Sequence, residues 1–188
     1  MPKRVDHEQR RREITHALWR IATEDGLKAV TLRRVAAEAG ISMNLVQYYF
    51  STKDQMVRYS LDEIIKVAVA QMTKEIDAAK ETGDPRAILR AAMAGMLPVD
   101  EGRRQTSIVY CAYMLYAVTD EEIRAVVSGI PRALAPQLTP LVQAPDPLAE
   151  VESLIALTSG LAVGILVASY TPDEALGFLD YRLDQLFG

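Results

Sequence analysis

Apolar residues recur along this chain at intervals of three and four, and no run alternates apolar with polar over β-branched residues. That periodicity restricts the fold to packed helices. Ile14, Ala17, Leu18, Ile21 and Ala22 form the stripe of a first amphipathic helix, which Gly26 is placed to end in a left-handed turn. A short second helix is predicted from a Thr31 cap, burying Leu32, Val35, Ala36 and Ala39. Gly40-Ile41-Ser42 then supplies a tight turn and a serine cap for a third helix from Met43. Thr52 with Gln55 reads as a capping box opening a fourth, and nothing from Lys53 to Thr82 breaks it, a span of about 45 Å.

Later boundaries carry their own punctuation. Asp84-Pro85 and Asp146-Pro147 pair a cap with proline at the first helical position. Thr119 to Glu122 and Thr171 to Glu174 read as capping boxes, and Pro131, Pro136 and Pro140 are expected to kink or break the helix beginning near Asp120. The expectation is an all-α chain of about nine helices, without internal repeats or low-complexity segments.

The charge is unevenly spread. Residues 1–60 hold eleven basic against seven acidic side chains, +4, whereas the whole chain of 188 residues stands at −4, so the remainder carries −8. A basic head on an acidic body suits a protein whose head alone meets a polyanion. The charged start, MPKRVDHEQRRRE, lacks the apolar core of a secretory signal, and a single cysteine, Cys111, suits a reducing cytoplasm.

Within the head, two short helices around Gly40 form a helix-turn-helix, the second standing clear to reach base edges while the first braces it. Its outward positions are Met43, Asn44, Gln47 and Tyr48. The amides of Asn44 and Gln47 suit the bidentate edge of adenine, which favours A·T pairs in the half-site. The hydroxyls of Tyr48 and Tyr49 suit phosphate, and Thr31, Arg33, Arg34 and Lys53 fall at helix starts that would face the DNA backbone.

Residues 10–57 resemble the DNA-binding domain of the tetracycline-repressor (TetR) family of bacterial regulators. The resemblance is carried by Ile14-x-x-Ala17-Leu18, Gly26-Leu27, the run from Thr31 through Ser42, and Tyr48-Tyr49-Phe50-x-x-Lys53-Asp54. It implies a homodimer with two reading helices in successive major grooves of a palindromic operator. It also implies DNA contact at Thr31, Ser42, Asn44, Gln47, Tyr48, Tyr49 and Lys53. Asn44 and Gln47 depart from the small residue and the tyrosine that family members often carry there. The domains then read as a helix-turn-helix head, 1–52, and a ligand-binding and dimerisation body, 53–188.

Residues 153–172 are uncharged, which raises the question of a membrane span. Thr158, Ser159 and Ser169 interrupt it and its flanks are acidic, so a buried helix and no membrane contact are expected. The resemblance implies that the last two helices, 147–170 and 172–187, make the dimer. Gly160 and Gly164 would allow close approach, and the stripe with Leu176, Leu179 and Leu183 would be presented to the partner. A ligand cavity is implied too. Its candidate lining is the methionine and aromatic set Met93, Met96, Tyr110, Tyr113, Met114 and Tyr116, with Thr158.

No catalytic or metal-ligand spacing accompanies His7, His16 or Cys111, and no phosphate-binding glycine loop or nucleophile elbow occurs, so an enzyme, a metal and a cofactor are not expected. The resulting expectation is a DNA-binding transcription regulator, commonly a repressor, released from its operator by a small-molecule effector. The alternative is a dimeric helical binding protein whose head meets DNA non-specifically or a protein.

Overall fold

The computed structural model describes residues 7–188, so the first six residues of the charged N-terminal stretch, and the start of the predicted head, lie outside it. Among the described residues there are nine α-helices and no strands. They are α1 (His7–Asp25), α2 (Leu32–Glu38), α3 (Met43–Tyr49), α4 (Lys53–Lys80), α5 (Pro85–Ala94), α6 (Glu101–Ala117), α7 (Glu121–Leu138), α8 (Pro147–Leu166) and α9 (Pro172–Phe187). Short 3₁₀ turns at Leu27–Ala29 and Thr139–Leu141 complete the order.

Most starts are where a side-chain oxygen satisfies an otherwise orphaned amide. Thr31, Ser42, Asp84 and Asp146 accept from Arg34, Leu45, Arg86 and Ala149 amides respectively. Thr171 and Glu174 form a complete reciprocal box. Three local expectations are corrected. Thr52 accepts from the Gln55 amide, but the Gln55 side chain accepts from Ser51 rather than from Thr52, so only half the box closes. The cap of α7 is Asp120, whose carboxylate takes the Ile123 amide, while the Thr119 hydroxyl donates back to the Tyr116 carbonyl. Helix α7 runs on through Pro131 and Pro136, and only Pro140 falls in a separate turn. Each proline removes one backbone donor, and the burial of Ala135 and Leu138 holds the helix across the gap.

Gly40, at φ +66°, makes the tight turn between α2 and α3. Gly26 also has positive φ, but its ψ of 163° lies outside the left-handed helical region, so α1 ends without the expected left-handed cap.

Two apolar cores result. One gathers Ile14, Leu18 and Ile21 of α1, Val35 and Ala36 of α2, Val46 of α3 and Met56, Leu61 and Ile64 of α4. It also takes in Val109, Tyr113 and Ala117 of α6 and Ile123 of α7, so the head is packed on the body rather than hung from it. The second core unites Leu89 and Met93 of α5, Ala135 and Leu138 of α7, Leu154 and Leu161 of α8, and Leu179 and Leu183 of α9. Helix α4, 28 residues and about 42 Å long, runs between the two. Ion pairs fasten α5 to α9, with Arg90 bidentate on Asp180 at 2.5 and 2.8 Å.

Candidate nucleic-acid interface and effector cavity

The α2–turn–α3 unit buries Val35, Ala36 and Val46 and leaves Met43, Asn44, Gln47 and Tyr48 exposed on one side of α3. A helix face dense in amides and hydroxyls, with its apolar side spent on the bracing helix, has the form needed to enter a major groove. The hydroxyl oxygens of Thr31 and Ser42 accept amides of their own helices, and both side chains stand exposed at the helix starts. Arg33 is exposed with no ion pair among the described residues, and Lys53 stands half-buried at the start of α4.

Two expected contacts are altered. Arg34 pairs with Asp25 at the end of α1, which turns its guanidinium toward the head's own surface in place of a bare approach to the DNA backbone. Tyr49 is only 7% exposed, edge-on to Tyr48 at 5.1 Å, so its ring anchors α3 to the head core. Sequence reasoning missed His7, whose ring lies 6.3 and 5.7 Å from those of Tyr48 and Tyr49. No local pattern signals it, because the start of α1 reaches α3 only through tertiary packing.

In the body a cavity of about 170 Å³ lies among α4, α6, α7 and α8, with Gly95 and Met96 after α5. Met96, Tyr110 and Met114 line it as expected. The other four candidates do not. Met93 is fully buried in the second core, Tyr116 packs on the first, and Thr158 is buried with its hydroxyl on the Leu154 carbonyl at 2.8 Å. Tyr113 sits one face round α6 from Tyr110 and enters the head core, where its hydroxyl donates to Ser60 Oγ and lies 3.2 Å from the Val57 carbonyl. Burial raises its pKa above the ordinary tyrosine value. Ser60 in turn bonds Val57 at 2.9 Å, and the Trp19 indole donates to the Ser60 carbonyl at 3.2 Å, so α1, α4 and α6 share one buried polar knot.

Missed lining residues include Gln71, Met72, Arg103, Ser107 and Cys111. On α6, Arg103, Ser107, Tyr110 and Met114 repeat at helical spacing and face the cavity together. That stripe was readable, but its mixed polarity gave no sign of which side faces a void. Burial raises the Tyr110 and Cys111 pKa values, keeping phenol and thiol protonated at neutral pH.

The dimer candidates also need correction. Leu179 and Leu183 are fully buried inside the chain, and Leu176 packs on the same core. Gly164 lies against Tyr170: a Cβ there would come 2.5 Å from that ring, so its small size serves an intrachain contact. Gly160 is exposed with open space above it. Helix α8 is long and apolar enough to cross a membrane, and 39% of its most apolar window is buried within the chain. The exposed remainder includes Val163, with Val167 just past the helix end, and Phe178 and Tyr181 of α9 are exposed as well.

Among the described residues no His, Cys, Asp and Glu cluster could hold a metal ion. Residues 14–59 match the family described as bacterial regulatory proteins, tetR family, and residues 85–188 match the BetI-type transcriptional repressor C-terminal family. The chain is 31% identical over 170 residues to the HTH-type transcriptional regulator PksA of Bacillus subtilis (strain 168), covering 87% of this chain and 82% of that protein. It is 36% identical over 94 residues to the HTH-type transcriptional regulator BetI of Burkholderia ambifaria, about half of each chain at 50% and 47%. A crystal structure of a transcriptional regulator from Rhodococcus sp. Rha1 superposes with TM-score 0.83 at 28% identity, covering 94% of this chain and 95% of that one. A transcriptional regulator from Saccharomonospora viridis, crystallised with choline, shares the fold at TM-score 0.79 and 20% identity over 94% and 96% of the two chains. With both halves matched to its domains and a regulator aligned along most of its length, the chain belongs to the TetR family of helix-turn-helix transcriptional regulators and is not an enzyme.

Proposed function

We propose that the protein is a homodimeric repressor that binds a palindromic operator in the bacterial cytoplasm and leaves it when a small molecule occupies the body cavity. The observation that carries this is the double role of α6: one face lines the cavity through Tyr110 and Met114, while Tyr113 is locked into the head core. A ligand that favours one placement of α6 therefore biases the placement of α1 and α4, and with it the separation of two reading helices. A coupling of about 1–3 kcal/mol is typical of such linkage.

The repressor sign draws support from the BetI-type match over residues 85–188. Dimerisation is supported by exposed apolar residues of α8 and α9, with Ala156, Gly160 and Val163 on the first, Val167 at its C-cap, and Phe178 and Tyr181 on the second. The DNA contacts we assign are Thr31, Arg33, Ser42, Met43, Asn44, Gln47, Tyr48 and Lys53. Functionally the head ends at residue 52 and the body begins at 53, although the two share a core. The choline complex of the Saccharomonospora regulator supports a small organic molecule as the kind of effector, without fixing its charge for this chain.

The test is selection of duplexes from random DNA by the purified protein, followed by sequencing. Recovery of an inverted repeat is the expected result. Salt-sensitive binding without sequence enrichment, by a folded protein, would instead favour a non-specific binder.

A further inference from the structure

Reading the body cavity as the effector site, we infer that it takes an uncharged, largely apolar molecule about the size of one ring, carrying a single hydrogen-bonding group, and rejects small cations and carboxylates. Size comes first. The cavity of about 170 Å³ is comparable with an engineered void of about 150 Å³ that accepts benzene. Its walls are chiefly aliphatic, and Met72, Met96 and Met114 supply side chains that adapt to the shape of an apolar guest.

Charge decides the class. Arg103 is the sole ionised group on the wall among the described residues, and each of its guanidinium nitrogens is already engaged. Nη2 pairs with Glu75, Nε with Asp100 at 3.0 Å, and Nη1 donates to the Ala94 carbonyl at 3.4 Å. A carboxylate guest at that guanidinium would meet the negative charges of Glu75 and Asp100 already paired with it. A cationic guest fares no better. No Asp or Glu lines the cavity, and Tyr110 is its one aromatic ring, too little for the cage that recognises a quaternary ammonium. Either ion would lose hydration that the few neutral polar groups on the wall replace only in part.

The polar groups that remain are neutral. Gln71, Ser107 and Tyr110 line the cavity, and their side chains make no hydrogen bond to the other described residues. Thr106 and Ser159 are spent on the Gly102 and Ile155 carbonyls of their own helices. The protonated Tyr110 phenol is a donor seeking a partner, and a hydroxyl or carbonyl on the guest would supply it.

Cys111, the chain's single cysteine, lies on this wall and reports occupancy directly. The full-length protein is treated with N-ethylmaleimide at mildly alkaline pH, alone and with millimolar benzyl alcohol, benzoate, benzyltrimethylammonium or choline. These probes vary charge at similar size. Benzyl alcohol is expected to slow alkylation by roughly fivefold or more, and the three ions by less than about twofold. Tyr110→Phe should reduce the benzyl alcohol protection several-fold, and Ser107→Asp should transfer it to benzyltrimethylammonium. Equal or stronger protection by any of the ions overturns the neutral class while leaving the effector cavity standing. Absence of protection by every probe, in protein whose circular dichroism is native, overturns the cavity reading itself.

Discussion

Replacing Tyr113 by phenylalanine isolates the polar knot that fastens the cavity-lining helix α6 to the head. The side chain is fully buried, and the change removes only its hydroxyl, with its bond to Ser60 Oγ beside the Val57 carbonyl. Ser60 keeps its own bond to Val57 at 2.9 Å, so no buried donor is stranded. The loss therefore sits in the lower part of the range for a buried hydrogen bond, about 1–2 kcal/mol. In a chain of this length that corresponds to a fall of roughly 2–8 °C in Tm at fixed protein concentration. The pH dependence gives an independent check. Burial raises the folded-state pKa of Tyr113 above its ordinary 10.0, so its stabilising contribution is whole below that pH and is lost as pH rises toward the folded value. The phenylalanine variant has no such group. The advantage of the native protein should accordingly shrink above pH 10.0 by about 1.4 kcal/mol per pH unit, and the two curves should converge. Scanning calorimetry across neutral and alkaline pH measures both effects. A variant as stable as the native chain at neutral pH, or a gap that stays constant above pH 10.0, would refute the assignment of a buried, bonded hydroxyl.

Three further outcomes are expected. Asn44→Ala and Gln47→Ala should each remove about 1–3 kcal/mol of base discrimination, whereas Lys53→Ala should weaken all sequences alike and lower the salt slope by about one, as read by fluorescence anisotropy at several salt concentrations. Gly160→Glu, made where a side chain meets open space, should yield a folded monomer in sedimentation, while Gly164→Leu should lower thermal stability through its clash with Tyr170. Thr171→Ala should lower Tm by roughly 2–4 °C through loss of the α9 cap; hydrogen bonds from Thr171 hold the Glu174 pKa below its ordinary 4.5, so that carboxylate's contribution is present above pH 4.5 and lost on acidification, a loss Glu174→Gln should abolish.

The mismatches between the sequence reading and the structure follow a pattern. Thr31, Ser42, Asp146 and Thr171 were legible because a cap and its amide lie within three residues. Where two capping side chains adjoin, as at Thr119 and Asp120, sequence spacing does not choose between them; here Asp120 accepts from Ile123. The exposed face of α3 was legible too, since the same spacing that buries Val46 must expose Asn44 and Gln47. The cavity was legible in part. Methionines and tyrosines on α5 and α6 announced an adaptable apolar region, yet Tyr110 and Tyr113 differ only in which neighbour α6 turns them toward. Engagement of Arg103 by Glu75 across α4 and α6 had no local signal at all.

By itself, then, the sequence determined that this chain is helical, where most of its helices begin, and that a basic helix-turn-helix precedes an acidic body, because periodicity, capping and charge act over a few residues. Only the tertiary structure decided what each apolar stripe is buried against. The leucines of α9 were committed to the chain's own core, Gly164 to Tyr170, and one face of α6 to a cavity whose charges are already balanced. A stripe specifies that a surface must leave water, whereas the surface it meets depends on how residues far apart in the chain pack together.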